Sequence, residues 1–313
     1  MKEIIIILLF GFLGISSKLS ATTLADSLRA TKPSQTKLTL AAELSLRPGG
    51  DYEVEKDGEI IEWGESDFYS KASVRASMPL YQRGRTMVNA SIRYSHIHQH
   101  FKPKTQLLDY GFGATAHHIF SANVMGMGRV RLGRKSLMLM GMVNGECSQY
   151  GFERWMAMGT AVVMLKETRR TQFGIGLLGM VNTFSRIPVF PFFTYRHTIN
   201  NRWLLNFVLP NMQVCYTPSR TDVLSLGMSI DVDHFFLRPK TDGLPDRVRY
   251  SRSVQNFGIT YEHRFASSLS VTADLGLSLL MTDRINRSGS SSKIAEVEEK
   301  TSSYFKLGLQ KKF

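Results

Sequence analysis

The sequence predicts an all-β fold: a transmembrane antiparallel β-barrel of twelve strands that follows a cleaved N-terminal signal peptide. Three observations predict it. They are a short apolar run behind Lys2, a succession of alternating segments separated by turn-rich clusters, and a last strand with one apolar face. Apolar residues make up 43% of the 313 and charged residues 21%, too apolar for disorder and too polar for a bundle of membrane helices.

The run from Ile4 to Ile15 falls short of the roughly 20 apolar residues that a helix needs to cross a bilayer. Small and polar residues follow it up to Ala21, as in a secretory signal cut after Ala21 or Ala25. Residues 1–21 are therefore expected as signal peptide, 22–36 as an N-terminal periplasmic segment and 37–313 as the barrel. Export also removes nucleic acid as the partner of the +13 net charge. The basic residues gather in short turns, YQRGR, LGRKS, KETRR and PSRTD, where phosphate of membrane lipid is the nearer anion. Two cysteines, Cys147 and Cys215, are far apart and read as incidental thiols rather than a disulfide framework.

From residue 37 the alternation has period two. KLTLAAELSLR sets Leu38, Leu40, Ala42, Leu44 and Leu46 on one face, with Thr39, Glu43, Ser45 and Arg47 on the other. YSKASVRASMPL and TMVNASIRYSH repeat the pattern across the turn YQRGR, as an antiparallel hairpin should. LSVTADLGLSLLM is the clearest, with Leu269, Val271, Ala273, Leu275, Leu277 and Leu279 outward. Charge facing lipid near the midplane costs about 2–4 kcal/mol, so charged residues are assigned to the lumen. That lumen set is Glu43, Arg47, Lys71, Arg75, Arg93, Arg129, Arg131, Asp231, Asp233, Glu262, Arg264, Asp274 and Lys306. Cations outnumber anions in it, so an open path should favour anions.

A soluble β-sandwich would show strands of about five to six residues; these run about twice that, the length of a membrane strand. An even count places short turns at one end and longer loops at the other. FPFFTYRHT breaks that parity if counted alone. It is restored either by leaving the segment in an outer loop, which gives twelve strands, or by also splitting RWLLNFVLPNMQVCY at Pro210, which gives fourteen.

The terminal SSYFKLGLQKKF resembles the signal read by barrel-assembly machinery, an aromatic last residue behind alternating apolar ones, carried by Phe305, Leu307, Leu309 and Phe313 and departing at Lys311. The stretch around Pro188, Pro191, Trp203, Leu209, Pro210 and Tyr216 resembles an uncharacterised outer-membrane β-barrel family common in Bacteroidota. The resemblance implies the outer membrane of a Gram-negative bacterium, with its lipid and the assembly machinery as partners, and no activity.

Three constellations bear on chemistry. Asp231 and Asp233 share a strand face, and paired carboxylates with a nearby His serve barrel hydrolases; alternation puts His234 on the opposite face. His96, His98 and His100 are spaced two apart and make a weak metal candidate beside the more common rim placement. Met138, Met140, Met142, Met156, Met158 and Met164 should face inward, to hold an acyl chain or to pack. No nucleotide loop, HExxH, GxSxG or CxxC is present, and no cofactor is expected. The expected role is structural or that of a narrow, anion-biased passage without catalysis, with a hydrolase acting through Asp231 and Asp233, or an apolar-ligand barrel, as alternatives.

Overall fold

In a computed structural model, residues 38–104, 116–133, 135–181, 189–208, 211–239, 245–265, 268–287 and 292–313 are described. The segments expected as signal peptide and N-terminal periplasmic stretch lie outside them. The described residues form strands and no helix. In order these are β1 (Thr39–Arg47), β2 (Asp51–Lys56), β3 (Glu59–Ser66), β4 (Tyr69–Arg83), β5 (Thr86–His98), β6 (Phe101–Pro103), β7 (Ala116–Leu132), β8 (Lys135–Ser148) and β9 (Gly151–Glu167). There follow β10 (Thr171–Val181), β11 (Val189–Thr198), β12 (Trp203–Val208), β13 (Asn211–Tyr216), β14 (Asp222–Leu237), β15 (Val248–Arg264), β16 (Leu269–Arg287), β17 (Lys293–Glu299) and β18 (Ser302–Lys312).

Fourteen of them close a ring in the order β1, β4, β5, β7 to β16 and β18, and β18 pairs back onto β1 with Leu44 opposite Leu307. Closure leaves the fourteen-strand wall no edge strand. The count of twelve is thereby corrected to the fourteen weighed beside it. FPFFTYRHT is β11 and not part of an outer loop, and RWLLNFVLPNMQVCY divides into β12 and β13 around Pro210, which has no N–H to give a ladder.

Alternation then sorts the side chains. Exposed apolar residues run round the outer wall: Leu40 and Leu44, Val74 and Met78, Ile92, Val124, Leu139 and Val143, Ile175 and Leu177, Leu224 and Leu226, Phe257 and Ile259, Leu275 and Leu277, and Phe305, Leu307 and Leu309. Ser45, Lys306 and Tyr304 from the same strands are buried inside. One end of the ring carries short turns. The other is extended by the four strands outside the ring, here called the cap.

The cap forms because the wall changes partners. Above Ser278, β16 leaves β18 and pairs with β17, which pairs with β2, then β3, then β6. The β2–β3 hairpin turns at Asp57 and Gly58, with φ of 55° and 88°, the left-handed pair that a two-residue hairpin requires. Its inner face packs Tyr52 and Val54 against Tyr69, Ile97, Phe101, Phe235, Leu237, Val248, Tyr250, Ile285 and Val297. The cap is thus a small sheet with a packed apolar core on top of the wider barrel.

β12 and β13 are only six residues long. Above Met228, β14 therefore has no ladder partner on that side among the described residues, and its upper part leans across the mouth. There Phe235 stacks on His117 of β7 at 4.4 Å, although β7 and β14 stand seven strands apart either way round the ring. A second cluster, Met142, Met156, Met158, Leu178, Met180 and Phe190, fills the inside of β8 to β11. The inward methionines pack among themselves, as the gap-filling reading expects.

Below the cap, β15 and β16 approach each other at the facing pair Gly258 and Gly276, with Tyr304 of β18 next in register. A Cβ at Gly258 would strike the Leu275 backbone and the Tyr304 hydroxyl. Gly258→Val should therefore cost about 1–3 kcal/mol by overpacking, read as a lowered denaturation midpoint in detergent. Adding Tyr304→Ala should recover part of it, and a Gly258→Val barrel as stable as the parent would dismiss the close approach.

Candidate functional site

The lumen is the site. Inward positions of β1, β4, β5, β11 to β16 and β18 line a cavity of about 520 Å³ that reaches the rim at the short-turn end, where Arg202, Ser268 and Lys312 border it. Lys71, Arg75, Arg93, Arg196, Arg264 and Lys306 supply positive charge, and Glu43, Asp231, Asp233, Glu262 and Asp274 negative. Ten of the residues assigned to the lumen from alternation are thus in the cavity wall. Arg47 faces inward just above the cavity, 2% exposed. Arg129 is ion-paired with Glu167 near the short-turn rim, and Arg131 is exposed there, so neither borders the cavity.

Two features set its electrostatics. Arg75 of β4 and Arg93 of β5 are directly opposite each other, an arrangement of like charges that costs free energy across an antiparallel pair. Glu43, inward on the neighbouring β1, and Arg196, inward on β11, line the same cavity. The other acids have cation or hydroxyl partners: Lys306 and Asn256 bind Asp231, Arg264 binds Glu262, and Tyr304 donates to Asp274 at 2.8 Å. The cavity surface therefore carries an excess of positive charge around Arg75 and Arg93.

The cavity ends under the cap in a latch. Asp233 of β14 accepts from Tyr69 of β4 at 2.5 Å and is ion-paired with Lys71; the Arg47 guanidinium stands 4.0 Å away. Arg47 and Arg252 both lie over the Tyr69 ring, 4.8 and 5.0 Å from its centroid. Arg252 continues the chain of contacts to Glu299 and, at 3.7 Å, to Asp283, to which Tyr250 also donates. Gln99, just past β5, reaches Glu299 at 3.2 Å. The latch joins β1, β4, the end of β5, β14, β15, β16 and β17 across the lumen, and most of its members are almost wholly buried. In the cap above it, Lys300 holds the Asp51 carboxyl below its usual range, and Lys102, then His100, do the same for Asp67.

Asp231 and Asp233 do share the lumen face, each engaged by a lysine. His234 lies on the other face with Nδ1 3.1 Å from the Ser251 hydroxyl. The histidines separate as well. His96 and His98 are on the outer wall, where His96 packs on His118 at 4.9 Å, while His100 is 3.1 Å from Asp67. No group of three metal-ligating side chains occurs among the described residues. Cys147 and Cys215 are free thiols, with Cys215 in the cavity wall.

Sequence reasoning missed Tyr69, Arg252, Asp283 and Glu299. Sequence alternation of membrane-strand length marks out no strand at Arg252, Asp283 or Glu299, whereas β15 begins at Val248 and β16 runs to Arg287. The alternation of Val248, Tyr250 and Arg252 was the available signal.

The family described as a domain of unknown function (DUF6268) matches residues 134–312. No curated protein matches the chain. Among solved structures, an outer-membrane channel of Pseudomonas putida F1 aligns at 12% identity over 89% of this chain and 96% of its own, with a TM-score of 0.47. A Pseudomonas aeruginosa FadL homologue aligns at 9% identity over 88% and 90%, with a TM-score of 0.41. The toluene transporter TodX of P. putida aligns at 10% over 88% and 90%, with a TM-score of 0.38.

Proposed function

We propose, from the premise that this chain belongs to the DUF6268 family, that it is an outer-membrane β-barrel of a Gram-negative bacterium and a gated narrow passage biased toward small anions, without catalysis. The ring of exposed apolar side chains supports the membrane, since a soluble monomer rarely exposes a contiguous apolar patch beyond a few hundred Å². Short turns then face the periplasm and the cap faces outward. Phe305, Leu307 and Leu309 are exposed on the lipid side of β18 with Phe313 beyond them, which supports their reading as an address for the barrel-assembly machinery.

The observation that carries the function is the cavity itself: a cationic vestibule around Arg75 and Arg93, reaching one rim and shut at the other end by the Asp233 latch. A passage filled by paired charges conducts only when some pairs part. The neutralised carboxylates and the displaced His234 support a role without catalysis, since a general base needs a substrate proton within reach.

Planar-bilayer recording under a salt gradient tests this. The protein should show rare, small openings whose reversal potential is displaced toward chloride. Arg75→Glu with Arg93→Glu should displace it toward the cation. A barrel that inserts yet stays silent even when the latch is cut, or one selective for cations, would overturn the reading.

A further inference from the structure

The short-turn rim of β9 to β14 carries a second feature, a recess on its outer side that shares Asn200, Asn201, Arg202 and Trp203 with the mouth of the lumen cavity. Three consecutive turns stand side by side there, between β9 and β10, β11 and β12, and β13 and β14. Backbone bonds lace them together: Thr198 N–H donates to the Arg170 carbonyl at 2.7 Å, and Thr217 N–H to the Arg202 carbonyl at 2.8 Å. The Asn200 side chain accepts from the N–H groups of Arg202 and Trp203 at 2.8 and 2.9 Å, which fixes the middle turn. The result is a shallow recess of about 600 Å³ lined by Arg170, Ile199, Asn201, Arg202, Trp203 and Tyr216.

Its chemistry is amphipathic. Trp203 and Tyr216 pair across β12 and β13 at 4.7 Å and face outward, with Trp203 41% exposed. Aromatic rings of this kind settle at headgroup level. Arg170 and Arg202 border the recess, and neither guanidinium has an ion-pair partner among the described residues. Arg169 and Arg220, both exposed, stand in the flanking turns. The carboxylates nearby are committed elsewhere, Glu167 to Arg129 and Ser136, Asp222 to Ser219, Tyr261 and His263. The ledge keeps its positive charge.

We propose that this recess binds the headgroup of an anionic glycerophospholipid of the inner, periplasm-facing leaflet, with the phosphate between Arg170 and Arg202 and the glycerol and first chain carbons against Trp203 and Tyr216. Guanidinium forks match phosphate oxygens in a bidentate way, and the aromatic pair gives the apolar part of the lipid a surface that a free phosphate could not use. The proposal rests on the membrane placement above and not on conduction.

The test is native mass spectrometry of the folded barrel released from mixed micelles containing phosphatidylglycerol or phosphatidylcholine. The parent should retain phosphatidylglycerol in preference. Arg170→Gln with Arg202→Gln should lower that retention by about tenfold or more, since each charge-assisted bond contributes on that scale. Trp203→Ala should lower it several-fold, and Arg83→Gln with Arg85→Gln, in the turn between β4 and β5, should leave it unchanged. Equal retention of phosphatidylcholine, equal loss in the Arg83 and Arg85 control, or displacement by inorganic phosphate at concentrations that match the lipid would each overturn the proposal. A barrel that fails to insert into vesicles defeats the membrane reading instead, so the two failures are distinct.

Discussion

Asp233→Ala should open the barrel. The substitution leaves Lys71 and Arg47 facing one another across a closed space without their carboxylate, and strands the Tyr69 hydroxyl. Removing one partner of a buried charge pair costs about 3–5 kcal/mol, because the remaining charge is desolvated and uncompensated. Every 1.36 kcal/mol is a factor of ten in an equilibrium, so the latch should part at least about a hundred times more often. Amide hydrogen exchange at Tyr69 to Lys71 and Asp231 to Phe235 should accelerate accordingly, and single-barrel recordings should show longer openings. Asp274→Ala, in the same cavity but outside the latch, is the control. The double variant Asp233→Leu with Lys71→Leu should recover only part of the closure, since apolar groups of similar volume replace that buried pair at little cost while Arg47 still lacks its carboxylate. Exchange rates unchanged in Asp233→Ala would mean that the latch does not hold the barrel shut.

The second large effect concerns the contact of opposite walls. Phe235 is 1% exposed, stacked on His117 at 4.4 Å on one wall and on Tyr250 at 4.6 Å beside it. Truncating a buried Phe to Ala costs about 3–5 kcal/mol, transfer and cavity terms together. Here the loss falls on the cap alone, because the ring strands below keep their ladder pairing. Phe235→Ala should therefore expose Lys56 and Lys293 to trypsin while the fourteen-strand ring stays resistant, a two-stage pattern absent from the parent. A variant that unfolds in one step, ring and cap together, would show that the cap is no separate unit.

The belt was legible in the sequence and the cap was not, for a physical reason. Alternation is visible only where one face meets lipid and the other meets water. Leu38 to Leu44 on β1 and Leu275 to Leu279 on β16 satisfy that condition and their faces were assigned from sequence. From Val232 to Leu237 on β14 both faces are buried, one against the cap core and the other toward β8 and β9, so the period-two signal vanishes. The cap hairpin hid behind its charges: Glu53, Glu55 and Glu59 read as a solvated loop, although Asp57 and Gly58 are the strongest short-range hairpin signal available. β12 and β13 fell below the expected membrane length, and the choice between twelve and fourteen turned on a single proline. Ten of the thirteen residues assigned to the lumen border the cavity, and those ten belong to full-length strands. The latch needed contacts between strands far apart in the chain, such as Tyr69 with Asp233, and no local pattern carries those.

The pairing of β17 with β2 also dictates an order of events. Lys300 and Asp51 are ion-paired across 249 residues of chain, and Glu296 stands opposite Glu55. Both contacts need segments from near the two ends of the barrel, and contacts of such sequence separation are slow to form because the chain entropy is lost before they reward it. On the proposed membrane reading, the wall can be complete before the roof is, and the speed with which β2 and β17 find each other then sets how long the lumen stays uncovered.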